Sequence, residues 1–186
     1  MSLHITLGPM YSGKTSKLID TYFKESLREN KSLVIDYNIE NKHEGYHVGK
    51  LLNHDSKSID SVIKTHELMQ YDIVGLTKLY NSVLINECQF FGDLVEFVFY
   101  CIKMGKDVYL YGLDGDFQRK PMGRVIELIP YCNSIEKLNG KCQLCDKKSI
   151  FSHRVTESKE QVLYDHEQYI PLCRSCYHKE NNIISD

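Results

Sequence analysis

Gly8-Pro9-Met10-Tyr11-Ser12-Gly13-Lys14-Thr15 is a full match to the phosphate-cradling P-loop pattern. Two glycines let such a loop close so that backbone N–H groups converge on phosphate oxygens. Lys14 then reaches the β- and γ-phosphates, and Thr15 offers a hydroxyl to Mg²⁺. The pattern is loose, so its flanks decide. His4-Ile5-Thr6-Leu7 before it is an apolar run suited to a buried strand, and Leu18, Ile19, Tyr22, Phe23 and Leu27 after it recur at helical spacing. A strand, this loop and a helix in succession point to a nucleoside triphosphate with Mg²⁺ and open an α/β fold.

The same rhythm continues along the chain. Ser32-Leu33-Val34-Ile35 reads as a second strand, and Ser61-Val62-Ile63 as a third that feeds a short helix over 65–69. Ser82-Val83-Leu84-Ile85 is another buried run. Asp93-Leu94-Val95-Glu96 has the form of a capping box opening a helix, with Gly105 suited to close it. Strands follow at 107–112 and 134–138. Strands alternating with helices imply a mainly parallel sheet covered on both faces. The polar segment 38–57 reads as a mobile loop. From Lys141 onward the pattern changes to cysteine pairs and short alternating segments, so the expected organisation is an α/β triphosphate-binding domain over 1–140 and a small module over 141–186.

Composition narrows the partners. The chain has 186 residues, 42% of them hydrophobic, and a net charge of −2, which gives no electrostatic reason to expect a nucleic-acid or membrane partner. No signal-peptide-like or membrane-spanning apolar stretch is present, which predicts a soluble, unexported protein with reduced cysteines. Of seven cysteines, Cys88, Cys101 and Cys132 stand apart and read as small buried residues.

The other four form Cys142-Gln143-Leu144-Cys145 and Cys173-Arg174-Ser175-Cys176. Two such pairs supply the corners of a tetrahedron, and a Cys₄ set around Zn²⁺ leaves no position for substrate. The expected role is structural: a closed zinc ties together the ends of residues 146–172 and makes a tethered lasso of them. A redox dithiol is the competing reading. His153, His166 and His178 read as solvated or core residues.

Two further groups fall where strands end. Glu87 follows the 82–85 run, the place where a P-loop enzyme puts acidic metal-handling and base residues. Before it stands Asn86, where an aspartate is usual; an asparagine can still orient a metal-bound water. Leu113-Asp114-Gly115-Asp116-Phe117-Gln118-Arg119-Lys120-Pro121 follows the 107–112 strand. There Phe117 can stack on a base, and Arg119 or Lys120 can neutralise a transferring phosphoryl group. A polar surface turn is the alternative for this cluster. Asn41-Lys42-His43-Glu44 imitates a guanine-reading motif, but it comes too early in the order of elements to act as one.

With Glu87-Cys88-Gln89-Phe90-Phe91, the 113–121 cluster and Tyr169-Ile170-Pro171-Leu172-Cys173-Arg174-Ser175-Cys176 in this order after the P-loop, the chain closely resembles the thymidine kinases of the zinc-containing cellular, bacterial and poxviral type. The resemblance covers essentially the whole chain. It implies a RecA-like α/β core, a zinc-anchored lasso, a homotetramer, and transfer of the ATP γ-phosphate to the 5′-hydroxyl of thymidine, a step in supplying DNA synthesis. It also implies end-product inhibition by dTTP. By the same resemblance Glu87 is the general base, Met10, Leu113 and Phe117 line the nucleoside pocket, and Tyr169 lies beside the substrate. The backbone around Val162, Leu163 and Tyr164 reads the thymine edge, and Ser152 lies near the base. The chain departs from the family at Asn86, where aspartate is usual, and at Tyr164-Asp165, where Gly-Gly is usual. Glu40 and Lys42 align with an Asp and an Arg. The short run after Cys176 suggests a viral or bacterial-like member without a long regulatory tail, and a cytoplasmic location, the host cytoplasm if viral. Competing readings are a pyrimidine deoxynucleoside kinase of other specificity, a zinc-containing nucleic-acid-binding ATPase, and a catalytically inactive homologue.

Overall fold

The computed structural model describes residues 1–39, 46–53, 56–163 and 165–183. Glu40, Lys42, the 41–44 motif and Tyr164 lie outside the described residues. Among the described residues no helix is long and apolar enough to cross a membrane.

The chain enters on β1 (Ser2–Leu7), turns through the P-loop into α1 (Lys14–Leu27), and returns as β2 (Ser32–Tyr37), β3 (His47–Leu52) and β4 (Ser58–Thr65). Then come α2 (Tyr71–Thr77), β5 (Ser82–Ile85), α3 (Leu94–Lys103) and β6 (Asp107–Gly112), and, after a 3-10 segment at Val125–Tyr131, β7 (Ser134–Lys137). Seven strands form one sheet in the order β3-β4-β2-β5-β6-β1-β7. Every pairing in it is parallel except β3 with β4.

Alternation along the strands builds a core on each face. Leu33, Ile35, Val83 and Ile85 pack with Phe97, Val98 and Leu128 on the α3 side, while Val34, Leu84 and Tyr111 pack with Leu18 and Ile19 of α1. Burial on both faces is why these strands read as continuous apolar runs. Helix α3 ends as Gly105 suggested: the Gly105 N–H bonds to the Ile102 carbonyl and the Lys106 N–H to the Cys101 carbonyl, a Schellman closure.

Four expectations need correction. The segment 38–57 is not simply a loop, because it contains β3, an edge strand. Asn53 donates from Nδ2 to Ser16 Oγ at 2.9 Å and Lys57 pairs with Asp20 at 3.1 Å, tying this hairpin to α1. No helix forms over 65–69; β4 runs through Thr65, and the helix starts at Tyr71. Asp93 does not cap α3 with its side chain. Its Oδ2 instead accepts the Leu68 and Met69 N–H groups at 2.8 and 2.7 Å, holding the turn between β4 and α2. Of the solitary cysteines, Cys88 and Cys101 are buried but Cys132 is only half-buried.

Beyond the sheet, β8 (Gly140–Lys141) pairs with β9 (Lys148–Ser149), β10 (Phe151–Arg154) pairs with β11 (Tyr169–Leu172), and α4 (Arg174–Glu180) closes the chain. Their small core consists of Cys142, Leu172, Cys173 and Tyr177, with Phe151 and Ile170 against it.

Candidate active site

A cleft of about 470 Å³ opens at the carboxyl ends of the strands, lined by P-loop residues 10–15, by Asn86 and Glu87 after β5, by Leu113 and Phe117 after β6, and by Ser152, Val162, Leu163 and Tyr169. Residues expected to serve a triphosphate, a proton transfer and a base thus share one cavity. Parallel strands deliver it, since a strand-end crevice is where an open α/β sheet binds ligands.

The P-loop backbone is built for an anion. Tyr11 and Gly13 have φ of 61° and 85°, so successive N–H groups turn inward as an anion nest at the start of α1. A Cβ on Gly8 would lie 2.6 Å from Ser12 Oγ and 2.8 Å from the Leu138 carbonyl, so only glycine fits there. Lys14 is buried and donates to the Gly8 and Pro9 carbonyls at 3.1 and 2.8 Å. Burial pushes its ammonium below the usual lysine range, while the Glu87 and Asp114 carboxylates pull back against it. Ser12 Oγ is buried with no hydrogen-bond partner among the described residues. A buried cation and an orphaned hydroxyl beside convergent N–H groups fit a triphosphate.

Glu87 is half-buried and held in the left-handed region at φ 49°, ψ 39°, a backbone state that costs a non-glycine residue about 1–3 kcal/mol and recurs where a side chain must be aimed. Its Oε2 accepts from Gln89 Nε2 at 2.7 Å, and Gln89 Oε1 accepts the Leu113 N–H at 2.9 Å. A buried amide therefore clamps the carboxylate to the end of β6. Sequence reading passed over Gln89, because only the fold brings 87, 89 and 113 together.

The wall opposite the P-loop comes from the C-terminal segment. The Met10 N–H donates to Ser152 Oγ at 2.9 Å, joining β10 to the loop. Gln161 reaches Asp116 Oδ2 at 3.1 Å, and the Leu163 N–H donates to the Tyr169 hydroxyl at 3.1 Å. Bonded to members of this wall, though not itself lining the cleft, is Arg154, 4% exposed, whose role has no local signal in the sequence. Its guanidinium donates to the Ser158, Glu160 and Gln161 carbonyls and to the Tyr169 hydroxyl, and it lies 3.9 Å over the Phe117 ring. A planar five-donor fork suits this work and an ammonium does not. Arg154→Lys should raise KM for the nucleoside by about tenfold and leave KM for ATP nearly unchanged, because charged hydrogen bonds worth about 1.5–3 kcal/mol each are lost on one side of the cleft only. Steady-state kinetics varying each substrate in turn checks this; equal change in both constants would make Arg154 a general stabiliser instead.

Arg119 is not among the residues lining the cleft. It is exposed, at φ 68°, and its guanidinium lies 5.2 Å over the Tyr177 ring and 5.9 Å over that of Phe151. Its contacts are thus with the C-terminal segment, which Tyr177 also secures by donating to the Phe117 carbonyl at 2.5 Å. Other cleft residues that the sequence reading did not single out are Asp36 of β2, Ile39, Leu51 of β3 and Phe90.

The four cysteines of the paired motifs converge, with all sulfurs within 4.8 Å of one another. A tetrahedral Zn–S₄ centre with bonds near 2.3 Å needs sulfurs about 3.8 Å apart, so the set fits zinc. Cys142 is pulled down to about 6: burial opposes this, but donation from the Cys173 and Leu144 N–H groups and from the Cys145 thiol outweighs it. Cys176 is pushed up to about 12, chiefly by its hydrogen bond with Cys145. Crowded sulfurs sharing protons in this way are poised for a cation. Among the described residues the cluster holds no histidine.

Residues 1–177 match a family model described as thymidine kinase. Similar proteins named thymidine kinase occur in Choristoneura fumiferana entomopoxvirus, 34% identical across 98% of this chain and 100% of the relative, and in Yaba monkey tumor virus, 35% identical across 97% and 96%. A thymidine kinase of Dictyostelium discoideum is 31% identical across 97% of this chain and 79% of its own length.

Proposed function

The chain belongs to the thymidine kinase family, and from that premise we propose that it transfers the γ-phosphate of ATP to the 5′-hydroxyl of thymidine, giving dTMP. The observation that carries the reading is the shared cleft: Glu87 lines the same cavity as P-loop residues 10–15 and Ser152, Val162, Leu163 and Tyr169.

The donor side binds ATP through backbone N–H groups of residues 8–15, with Lys14 released from its own carbonyls to the β- and γ-phosphates. Thr15 and Asn86, which both line the cleft, would hold Mg²⁺ directly or through a bound water. Mg²⁺, when bound, would supply positive charge to neutralise the phosphates. The acceptor side takes the nucleoside against Met10, Leu113 and Phe117. Backbone groups at Val162 and Leu163 meet the base edge near Ser152, and Tyr169 holds that segment in place. Glu87 accepts the proton of the 5′-hydroxyl, positioned by Gln89. Catalysis is then mostly alignment and charge stabilisation, as in other phosphoryl transfers. Zn²⁺, when bound by Cys142, Cys145, Cys173 and Cys176, anchors the acceptor wall without touching substrate. We read 1–140 as the donor domain and 141–186 as the anchored lasso.

A homotetramer acting in the cytoplasm belongs to the same reading. Support for assembly comes from Phe99 and Tyr131, both exposed with their rings 5.0 Å apart, and from the exposed Ile126 and Ile129 of the same 3-10 segment as Tyr131. dTTP, which carries both a triphosphate and a thymine, suits the cleft as an end-product inhibitor.

Incubation with γ-³²P-ATP, Mg²⁺ and a panel of nucleosides tests the function. Labelled dTMP should dominate the products. Equal or faster labelling of another pyrimidine deoxynucleoside would move the specificity, and no labelled nucleotide at saturating ATP would overturn the reading.

A further inference from the structure

Asp36, the next-to-last residue of β2, lines the cleft and is 5% exposed. Strands β2 and β5 run parallel with Ile35 opposite Ile85, so the next residues, Asp36 and Asn86, stand side by side at the carboxyl edge. Asn86 Nδ2 donates to Asp36 Oδ1 at 2.9 Å. The other carboxylate oxygen accepts from Lys64, whose Cα is opposite Asp36 on β4.

A P-loop enzyme places an aspartate after the strand that β5 represents, to hold the metal or its water. This chain has an amide there. An amide left to rotate would present its NH₂ as readily as its oxygen, and an NH₂ cannot accept a hydrogen bond from a metal-bound water. Asp36 removes that ambiguity. Committing Nδ2 to a carboxylate leaves Asn86 Oδ1 as the acceptor on the other side of a planar group.

We propose that Asp36 is a positioning residue for the metal: by fixing the Asn86 amide it lets the pair do the work of one strand-end aspartate, the acid having moved one strand over. Lys64 balances the buried charge. The proposal rests on the kinase reading above, but its test needs no turnover, so the two can fail separately.

The test measures Mn²⁺ binding to the full-length protein saturated with ATP, by the electron paramagnetic resonance signal of free Mn²⁺, with ATP binding in EDTA measured alongside. Asp36→Asn should weaken Mn²⁺ about tenfold, at the lower end of the 10–100-fold typical for losing a partner behind a metal ligand. Metal-free ATP affinity should stay unchanged. The exchange D36N/N86D, which restores one carboxylate and one amide in reversed order, should recover most of the loss. Wild-type Mn²⁺ affinity in Asp36→Asn would overturn the proposal. So would an exchange variant no better than Asp36→Asn, or an equal loss of metal-free ATP binding, which would make Asp36 a support of the loop alone.

Discussion

Glu87→Gln is expected to lower phosphoryl transfer to thymidine by about 10³-fold, inside the 10²–10⁴ range for losing a general base, while thymidine affinity changes little. Glutamine keeps the volume of the side chain and a carbonyl oxygen that can accept from Gln89 Nε2, the bond that places Glu87 at 2.7 Å. The left-handed backbone at this position is unaffected, since the side chain beyond Cβ does not set it. What disappears is a group able to take the 5′-hydroxyl proton, and with it one of the carboxylates that oppose the burial of Lys14. Single-turnover transfer of labelled phosphate gives the rate, and calorimetric titration of thymidine gives the affinity. A variant turning over within about tenfold of wild type would remove Glu87 from the proton transfer and leave alignment alone as the source of rate.

The parts of this site that were legible in the sequence are those whose signal is local. The P-loop is a contiguous backbone motif, and the buried parallel strands announce themselves as apolar runs because both their faces are covered. The paired cysteines carry their ligand logic in their spacing. What was not legible depends on contacts between distant segments. His47-Val48-Gly49-Lys50-Leu51-Leu52 has a glycine and two polar residues and sits on a sheet edge, with Val48 and Leu52 exposed, so neither face gives a clean period. The turn at 66–70 depends on a carboxylate from Asp93, and no pattern within 65–69 shows it. Asp36 sits in an otherwise apolar strand and gains meaning only from its neighbours Asn86 and Lys64. Arg154 reads as the polar member of an alternating strand until the chain folds three carbonyls and a tyrosine around it. Arg119 illustrates the converse: a cation in a promising cluster whose guanidinium lies over the Tyr177 and Phe151 rings, outside the cleft lining.

Removing the metal, by chelation or by Cys173→Ser, should abolish measurable transfer to thymidine, a fall of more than about 100-fold, while ATP still binds. The module it anchors cannot hold itself together by apolar burial. Its buried core is Cys142, Leu172, Cys173 and Tyr177, and two of those four belong to the cysteine set proposed to hold zinc. Such small units draw their folding energy from the ion, about 10–16 kcal/mol for structural Zn²⁺ in finger peptides near neutral pH. Cys173 also caps α4, its sulfur accepting the Cys176 N–H at 3.5 Å, and it directly follows β11. Freeing it therefore loosens Tyr169, and Tyr169 is what the Leu163 N–H and Arg154 bind. The loss propagates to the acceptor wall and reaches the P-loop through the Met10 N–H to Ser152 Oγ bond, but that loop is held on both sides by β1 and α1, so ATP binding should persist. Metal content by mass spectrometry, limited proteolysis within 155–168 and binding of a fluorescent ATP analogue separate the two halves. The expected outcome is one zinc lost per chain, rapid cleavage of the lasso and ATP affinity retained. A metal-free Cys173→Ser protein that still phosphorylates thymidine at the normal rate would show that the wall stands without its anchor. Loss of ATP binding in step with zinc would show instead that donor and acceptor sides fold as one cooperative unit.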